Sequence, residues 1–225
     1  MNKYLTVTAH PDDEVLGFGG SSSYLSSKGH QIVNCILSGS VDARVNRPEL
    51  IELNKNIIKA QSIIGAKSTI LGDYPNIKFN TVPHLEIVQF IESVIEKVEP
   101  DYIITHHPSD LNNDHYHTSI ACQAAARLFQ RKPLKSIKGL YYMEILSSTD
   151  WSFSTESKFS PDTFIPIGKL GLEKKIEALI EYKDIMRPYP HSRSRESLKS
   201  LAILRGSQAG REYCESFETA LNIIE

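Results

Sequence analysis

The stretch YLTVTAHPDDEVLGFGG, Tyr4 to Gly20, joins an apolar, β-branched run to a small-residue segment through a histidine, a proline and three consecutive acids. Tyr4 to Ala9 reads as a strand, and Val15 to Lys28 as a helix ended by Gly29. The residues between them are unfavourable on local grounds. Three adjacent carboxylates repel one another, and a buried unpaired carboxylate is strongly disfavoured, so the turn calls for a positive partner.

Outward from this stretch the same grammar repeats. Gln31 to Leu37 is a second strand, which makes a strand–helix–strand unit. Leu50, Leu53, Ile57, Ala60 and Ile64 recur at spacings of three and four before Gly65, marking one buried face of a helix that Pro48 starts. A short strand, Ser68 to Leu71, follows. Leu85, Val88, Ile91, Ile95 and Val98 repeat the helical pattern, Pro100 stops it, and Asp101 to His106 gives another strand. Such units predict an α/β fold: a single three-layer domain over residues 1–225, with a mostly parallel sheet and helices on both faces, as in Rossmann-like proteins. Further on, Gly139 to Leu146 and Asp162 to Ile167 read as strands, and Leu172 to Met186 and Arg195 to Gly206 as amphipathic helices. SSTDWSFST, around Trp151, reads as a loop.

Composition narrows the partners. A formal charge of −2 on 225 residues, 23% of them charged, lacks the basic excess that binding a phosphate backbone requires, which excludes nucleic acid. No apolar stretch approaches the roughly 20 residues of a membrane span, and the N-terminus has no long apolar leader core, so the expected location is cytoplasmic. Cys35, Cys122 and Cys214 are scattered and odd in number, which fits reduced core residues rather than a disulfide framework or a CxxC metal site. GFGGSS lacks the full GxGxxG spacing of a dinucleotide fingerprint, and close helix packing explains Gly17, Gly19 and Gly20 more simply. The apolar helix faces of a core and of a subunit contact look alike, which leaves homo-oligomerisation open.

Two polar clusters occupy equivalent places. HPDDE begins where the first strand ends, and HHPSDLNNDHYH, His106 to His117, where the Asp101 strand ends. Ligands of open parallel sheets bind at the carboxyl ends of the strands, so both clusters belong on one rim. HPDDE alone also fits a helix start with acids complementing the dipole. The second cluster shifts the balance, because its twelve residues hold four of the eight histidines and two aspartates. His10 and Asp13 can share one ion, and a histidine from the second cluster completes two nitrogens and one oxygen. Three protein ligands with an open position is the pattern of catalytic zinc. Asp12 is then free to act as general base. His30 and His84, at a turn and a helix start, have structural readings.

AHPDDE followed by HHPSDLNNDH resembles the LmbE-like, or PIG-L, deacetylase family, which removes acetyl groups from N-acetylglucosamine-type sugars using zinc. RPELIELNKNIIKAQSIIG, YPNIKFNTVP, EILSSTDWSF and PHSRSRESLKSLAILRGSQAG extend the resemblance over most of the chain. It implies an LmbE-like deacetylase fold, His10, Asp13 and His115 as ligands of one Zn2+ per chain, and Asp12 as the base. Glu14 would cap the following helix or orient its neighbours, and Asp114 would fix the loop or partner a ligating imidazole. Several members carry a second histidine three positions before the last ligand; here that position is Asn112, a candidate substrate contact. His107, His117 or His191 would have to replace it. Asn76 stands where many relatives have Asp.

The implied reaction is hydrolysis of an acetamide on a small N-acetylated sugar or sugar conjugate, giving acetate and a free amine. Zinc lowers the pKa of bound water from about 15.7 to about 7, and Asp12 completes the deprotonation. Arg44, His191 and Arg193 are candidates for holding substrate hydroxyls or a phosphate. Two other readings use the same residues: a non-haem Fe(II) oxygenase with a two-His, one-carboxylate triad, and a non-catalytic sugar- or nucleotide-binding domain with a vestigial metal site.

Overall fold

The structure, a computed structural model, describes residues 1–43, 46–153 and 157–224. Its strands are β1 (Lys3–Thr8), β2 (Gln31–Ile36), β3 (Ser68–Leu71), β4 (Tyr102–His106), β5 (Gly139–Met143), β6 (Thr163–Pro166) and β7 (Cys214–Asn222). The helices are α1 (Asp13–Ser27), α2 (Leu50–Ile63), α3 (His84–Val98), α4 (Asn113–Ala125), α5 (Gly168–Glu181) and α6 (Arg195–Gln208). One sheet carries all seven strands in the order β3-β2-β1-β4-β5-β7-β6. Pairing is parallel from β3 to β5, and β7 runs antiparallel to both its neighbours. The fold is therefore α/β with a mostly parallel sheet, as the alternation of the sequence predicts.

Both faces of the sheet are covered, which is why the strands read as almost unbroken apolar runs. Leu5, Val7 and Ala9 of the first strand region pack with Val33, Ile91 and Ile95 on the face under α3 and α4. Ile32, Ile36 and Ile104 face the other way, into a cluster with α1, α2, α5 and α6. The three cysteines are free and buried. Close packing of α1 needs its glycines: a Cβ on Gly20 would stand 2.7 Å from Ile167 Cδ1, and one on Gly17 would collide with Met143.

Four expectations need correction. Leu50 and Leu85 are exposed at 59% and 63%, because each sits at the first turn of its helix and points off the buried face; Ile87 takes the core position instead. The helix expected over 172–186 runs from Gly168 to Glu181. The strand expected to reach Leu146 ends at Met143. Two elements, α4 and β7, have no counterpart in the sequence reading. β7 hides its period because a buried ion pair, Lys175 Nζ to Glu215 Oε1 at 2.7 Å, puts a charge where an apolar residue is expected. Glu215 also accepts the N–H groups of Gly20 and Ser21, at 3.0 and 2.7 Å, and so ties β7 to α1.

At the amino end of the sheet, Asp101 accepts the N–H of Lys3 at 2.8 Å, pairs with Lys135, and lies 3.6 Å from Lys138 Nζ. Burial would raise its pKa, but the Lys135 and Lys3 hydrogen bonds outweigh that and hold it below the ordinary carboxylate value. A depressed folded-state pKa contributes stability that is present above the unfolded value of about 3.9 and lost as pH falls through the folded one. Asp101→Asn is therefore expected to cost about 1–2 kcal/mol at pH 7. In urea titrations at several pH values the gap from the parent should close below about pH 4; a gap independent of pH refutes the assignment.

Candidate functional site

β1 and β4 are neighbours, and the strand order reverses between them, so the crevice beyond their carboxyl ends is the topological switch point of the sheet. The chain leaves β1 through Ala9 and His10 and enters α1 at Asp13, with Asp12 between at φ 106°, a left-handed conformation rare outside glycine. From β4 it passes Asp110 and enters α4, whose first N–H groups are capped by Asn112 Oδ1 accepting from Asp114 N at 2.9 Å. This turn of helix brings His115 back toward His10. The second cluster is thus not all loop: its last five residues, from Asn113, are helical.

Asp13 Oδ2 lies 3.3 Å from His10 Nδ1 and 3.1 Å from His115 Nε2, and these ligand atoms fall within 4.8 Å of one another, all buried. A carboxylate holds each imidazole from behind. Asp114 Oδ2 is 3.0 Å from His10 Nε2, and Asp110 Oδ1 is 3.1 Å from His115 Nδ1. Asp114 is itself fixed by the N–H groups of Ile77 and Phe79, at 2.6 and 2.9 Å, and Asp110 by the hydroxyls of Ser148 and of Thr149, the latter at 2.7 Å. Carboxylates in that position set the tautomer and the orientation of a metal-binding histidine. His115 Nε2 is buried and has Asp13 Oδ2 3.1 Å away as an ion-pair partner, but it completes no hydrogen bond. Two imidazole nitrogens and a carboxylate oxygen gathered this closely, one of the nitrogens without a hydrogen bond, fit a divalent cation with an open fourth position.

The charges divide accordingly. Burial alone would lower the pKa of His115, but Asp13 and Asp110 on either side push it up to about 10. His106 stacks on it at 3.8 Å and goes the other way, down to about 3, through burial and the charge of His115. His106 Nε2 accepts the Ala9 N–H at 2.9 Å, so this neutral ring braces the floor of the site. Asp13, despite full burial, is held well below the ordinary range by His115 and by hydrogen bonding to His10.

Asp12 and Asp13 diverge. Asp12 faces a cavity of about 340 Å3 that also touches His10, His115, Asn76, Asn112 and Arg193. Arg193 Nη1 lies 3.3 Å from Asp12 Oδ2 while its Nε donates to Ser147 Oγ at 2.6 Å, which orients the carboxylate. Behind it, Glu14 Oε2 accepts the Asp12 N–H at 3.0 Å, and Glu14 Oε1 accepts from Gln61 Nε2 at 2.7 Å and Tyr182 OH at 2.6 Å. Burial pushes the Glu14 carboxyl up to about 8, against the Tyr182 hydrogen bond that pulls it down. Gln61 continues the chain of bonds to Asn34 and Thr6 in the sheet. Tyr182→Phe should cost about 1–2 kcal/mol in urea unfolding through the lost buried bond; an unchanged midpoint would show that the hydroxyl contributes nothing.

Of the candidate substrate residues, Asn112 and Arg193 line this cavity. Because Asn112 spends its oxygen on the helix cap, its amide N–H2 is what it offers a ligand. His191 is exposed and borders an adjoining cavity instead. Arg44 lies outside the described residues. None of the three replacements considered for a second acid lines the cavity beside His115. His107 is buried against Glu218 at 3.3 Å, His117 packs edge-on to Tyr116, and His191 lies beyond Arg193. Sequence reasoning missed Asp110, His106 and Ser148. The first two stand within the second cluster, where a count of acids and imidazoles beyond one ligand set is the available signal. Trp151 is half exposed on a short 3-10 turn.

The family model for PIG-L, GlcNAc-PI de-N-acetylase, matches residues 5–126, more than half of the chain and all of both clusters. The chain belongs to the PIG-L family. No curated protein sequence matches it significantly. Among solved structures, this PIG-L chain is similar to the conserved protein TT1542 from Thermus thermophilus, with TM-score 0.79 and 20% identity over 100% of this chain and 97% of that one. GalB, the 4-carboxy-2-hydroxymuconate hydratase from Pseudomonas putida, gives TM-score 0.78 and 20% identity over 100% and 98%. N,N'-diacetylchitobiose deacetylase from Pyrococcus horikoshii gives 0.74 and 20% over 97% and 83%. At these identities the likeness speaks for the fold alone. No described helix of the PIG-L chain is long and apolar enough to cross a membrane.

Proposed function

We propose that this protein is a metal-dependent N-deacetylase acting on a small N-acetylated sugar or sugar conjugate, releasing acetate and a free amine. His10, Asp13 and His115 hold one divalent cation, zinc by donor type, and Asp12 is the general base. The observation that carries the reading is the buried His115 Nε2, without a hydrogen bond and 3.1 Å from Asp13 Oδ2, with Asp12 facing the same cavity. A cation held there supplies a Lewis acid for the amide carbonyl and makes water acidic near neutral pH. Asp12 takes the proton of the attacking water and returns it to the departing amine as the carbon–nitrogen bond breaks. Arg193 keeps the carboxylate aimed, while the amide of Asn112 binds substrate oxygen across the cavity.

The family's deacetylase description and a chitobiose deacetylase with the same fold support this choice. A hydratase shares the fold too, so the reaction has to be tested at the bond. Zinc-loaded protein incubated with a panel of N-acetyl sugars should release acetate and primary amine in equal amounts, and a chelator should stop it. Binding without release would instead support a vestigial site, addition of water without acetate a hydratase, and oxygen uptake with Fe(II) an oxygenase.

A further inference from the structure

Ile77 lines the cavity at Asp12 in a left-handed conformation, with φ 58°. Its branched Cβ crowds the backbone there, so the position suits glycine or asparagine and is a genuine outlier for isoleucine. Burial does not offset the cost, because the residue is 46% exposed. Hydrogen bonds on either side hold the turn instead. Asn76 Oδ1 accepts the Ala43 N–H at 3.0 Å, and the Lys78 N–H donates to the Pro75 carbonyl at 3.2 Å. So held, the turn aims two backbone donors at one side chain: Ile77 N–H reaches Asp114 Oδ2 at 2.6 Å, and Phe79 N–H reaches Oδ1 at 2.9 Å. Asp114 Oδ2 is also the atom 3.0 Å from His10 Nε2, and the Phe79 ring lies 6.1 Å from that of His10, centroid to centroid. A carboxylate only accepts, so Nε2–H donates this bond and the Nδ1 lone pair of His10 is left facing Asp13. Backbone strain of this kind persists where the surroundings over-determine it, and it gathers at functional sites.

We propose that Ile77 is a positioning residue for the metal: its strained backbone points an N–H at Asp114, and Asp114 so braced holds the His10 ring with Nδ1 toward the cation. The inference rests on the metal-dependent reading of the site and deepens it, giving a role to a residue that carries no ligand atom. The side chain of Ile77 takes no part. With φ at an ordinary negative value the same N–H turns away from Asp114, which then keeps Phe79 alone as a backbone donor, and Oδ2, the oxygen that orients His10, has nothing behind it.

Zinc affinity, read by competition with a chromogenic chelator, tests it in the full chain. Ile77→Gly keeps both the N–H and the left-handed turn, so it should bind zinc within about twofold of the parent. Ile77→Pro has no N–H and cannot take a positive φ, and should bind about 10–100-fold more weakly. Replacing Ile77 by its α-hydroxy acid through nonsense suppression turns the one N–H into an ester oxygen; it should weaken zinc by a similar factor, and it carries the test where Ile77→Pro does not fold. With cobalt in place of zinc, the visible bands of the ester protein should shift from the parent's, and those of Ile77→Gly should not, whereas a residue that merely shaped the loop would move neither. Equal zinc affinity in parent and ester protein, cobalt bands unmoved by the ester, or an Ile77→Gly protein as weak as the ester overturns the proposal and leaves the deacetylase reading standing. A parent that binds no zinc refutes the metal site, and the deacetylase reading falls with it.

Discussion

Asp12→Asn is expected to lower kcat for acetate release by about 10²–10⁴-fold with metal content unchanged. The substitution is close to isosteric, and asparagine tolerates the left-handed conformation of position 12 better than most residues. The amide oxygen can keep the contact with Arg193, and the backbone N–H can keep its bond to Glu14. What disappears is the proton acceptor. Acetate assays read the rate and elemental analysis reads the zinc. Full activity would remove Asp12 from the role of base, and loss of zinc would move it into the ligand set.

His115→Ala should have the largest effect on metal content and on the metal-free fold together. Only His10 and Asp13 remain to hold the cation, and the stacking partner of His106 is gone. Two buried carboxylates, Asp13 and Asp110, also lose the imidazole between them. Breaking a buried pair by removing one partner costs about 3–5 kcal/mol, so zinc should fall to background and the thermal midpoint should drop markedly. His10→Ala should lose zinc in the same way, exposing Asp114 instead. Undiminished zinc in either variant would contradict that ligand.

The legible part of the molecule was the part built from large side chains. Val33, Ile91 and Ile95 announce their elements because each buries a whole branched side chain at strand or helix spacing. α4 was invisible for the opposite reason: its buried face is Thr118, Ala121, Cys122 and Ala125, small residues with no apolar stripe to read. That helix determines the direction of His115, so the sequence placed the histidine on the right rim and left its aim undetermined. Leu50 and Leu85 erred the other way, apolar residues in register with a stripe but one turn beyond the core that would cover them.

Order along the chain, the alternation of strand and helix, and the two polar clusters at strand ends follow from local chemistry, since each is a matter of which residues stand next to which. Tertiary structure alone decided which nitrogen of each imidazole faces Asp13, that Asp110 and Asp114 stand behind them, that His191 borders a different cavity, and that β7 lies between β5 and β6. Those are relations between residues as many as 104 positions apart, as for His10 and Asp114. They depend on how helices and strands pack, and packing depends on shapes summed over the whole core.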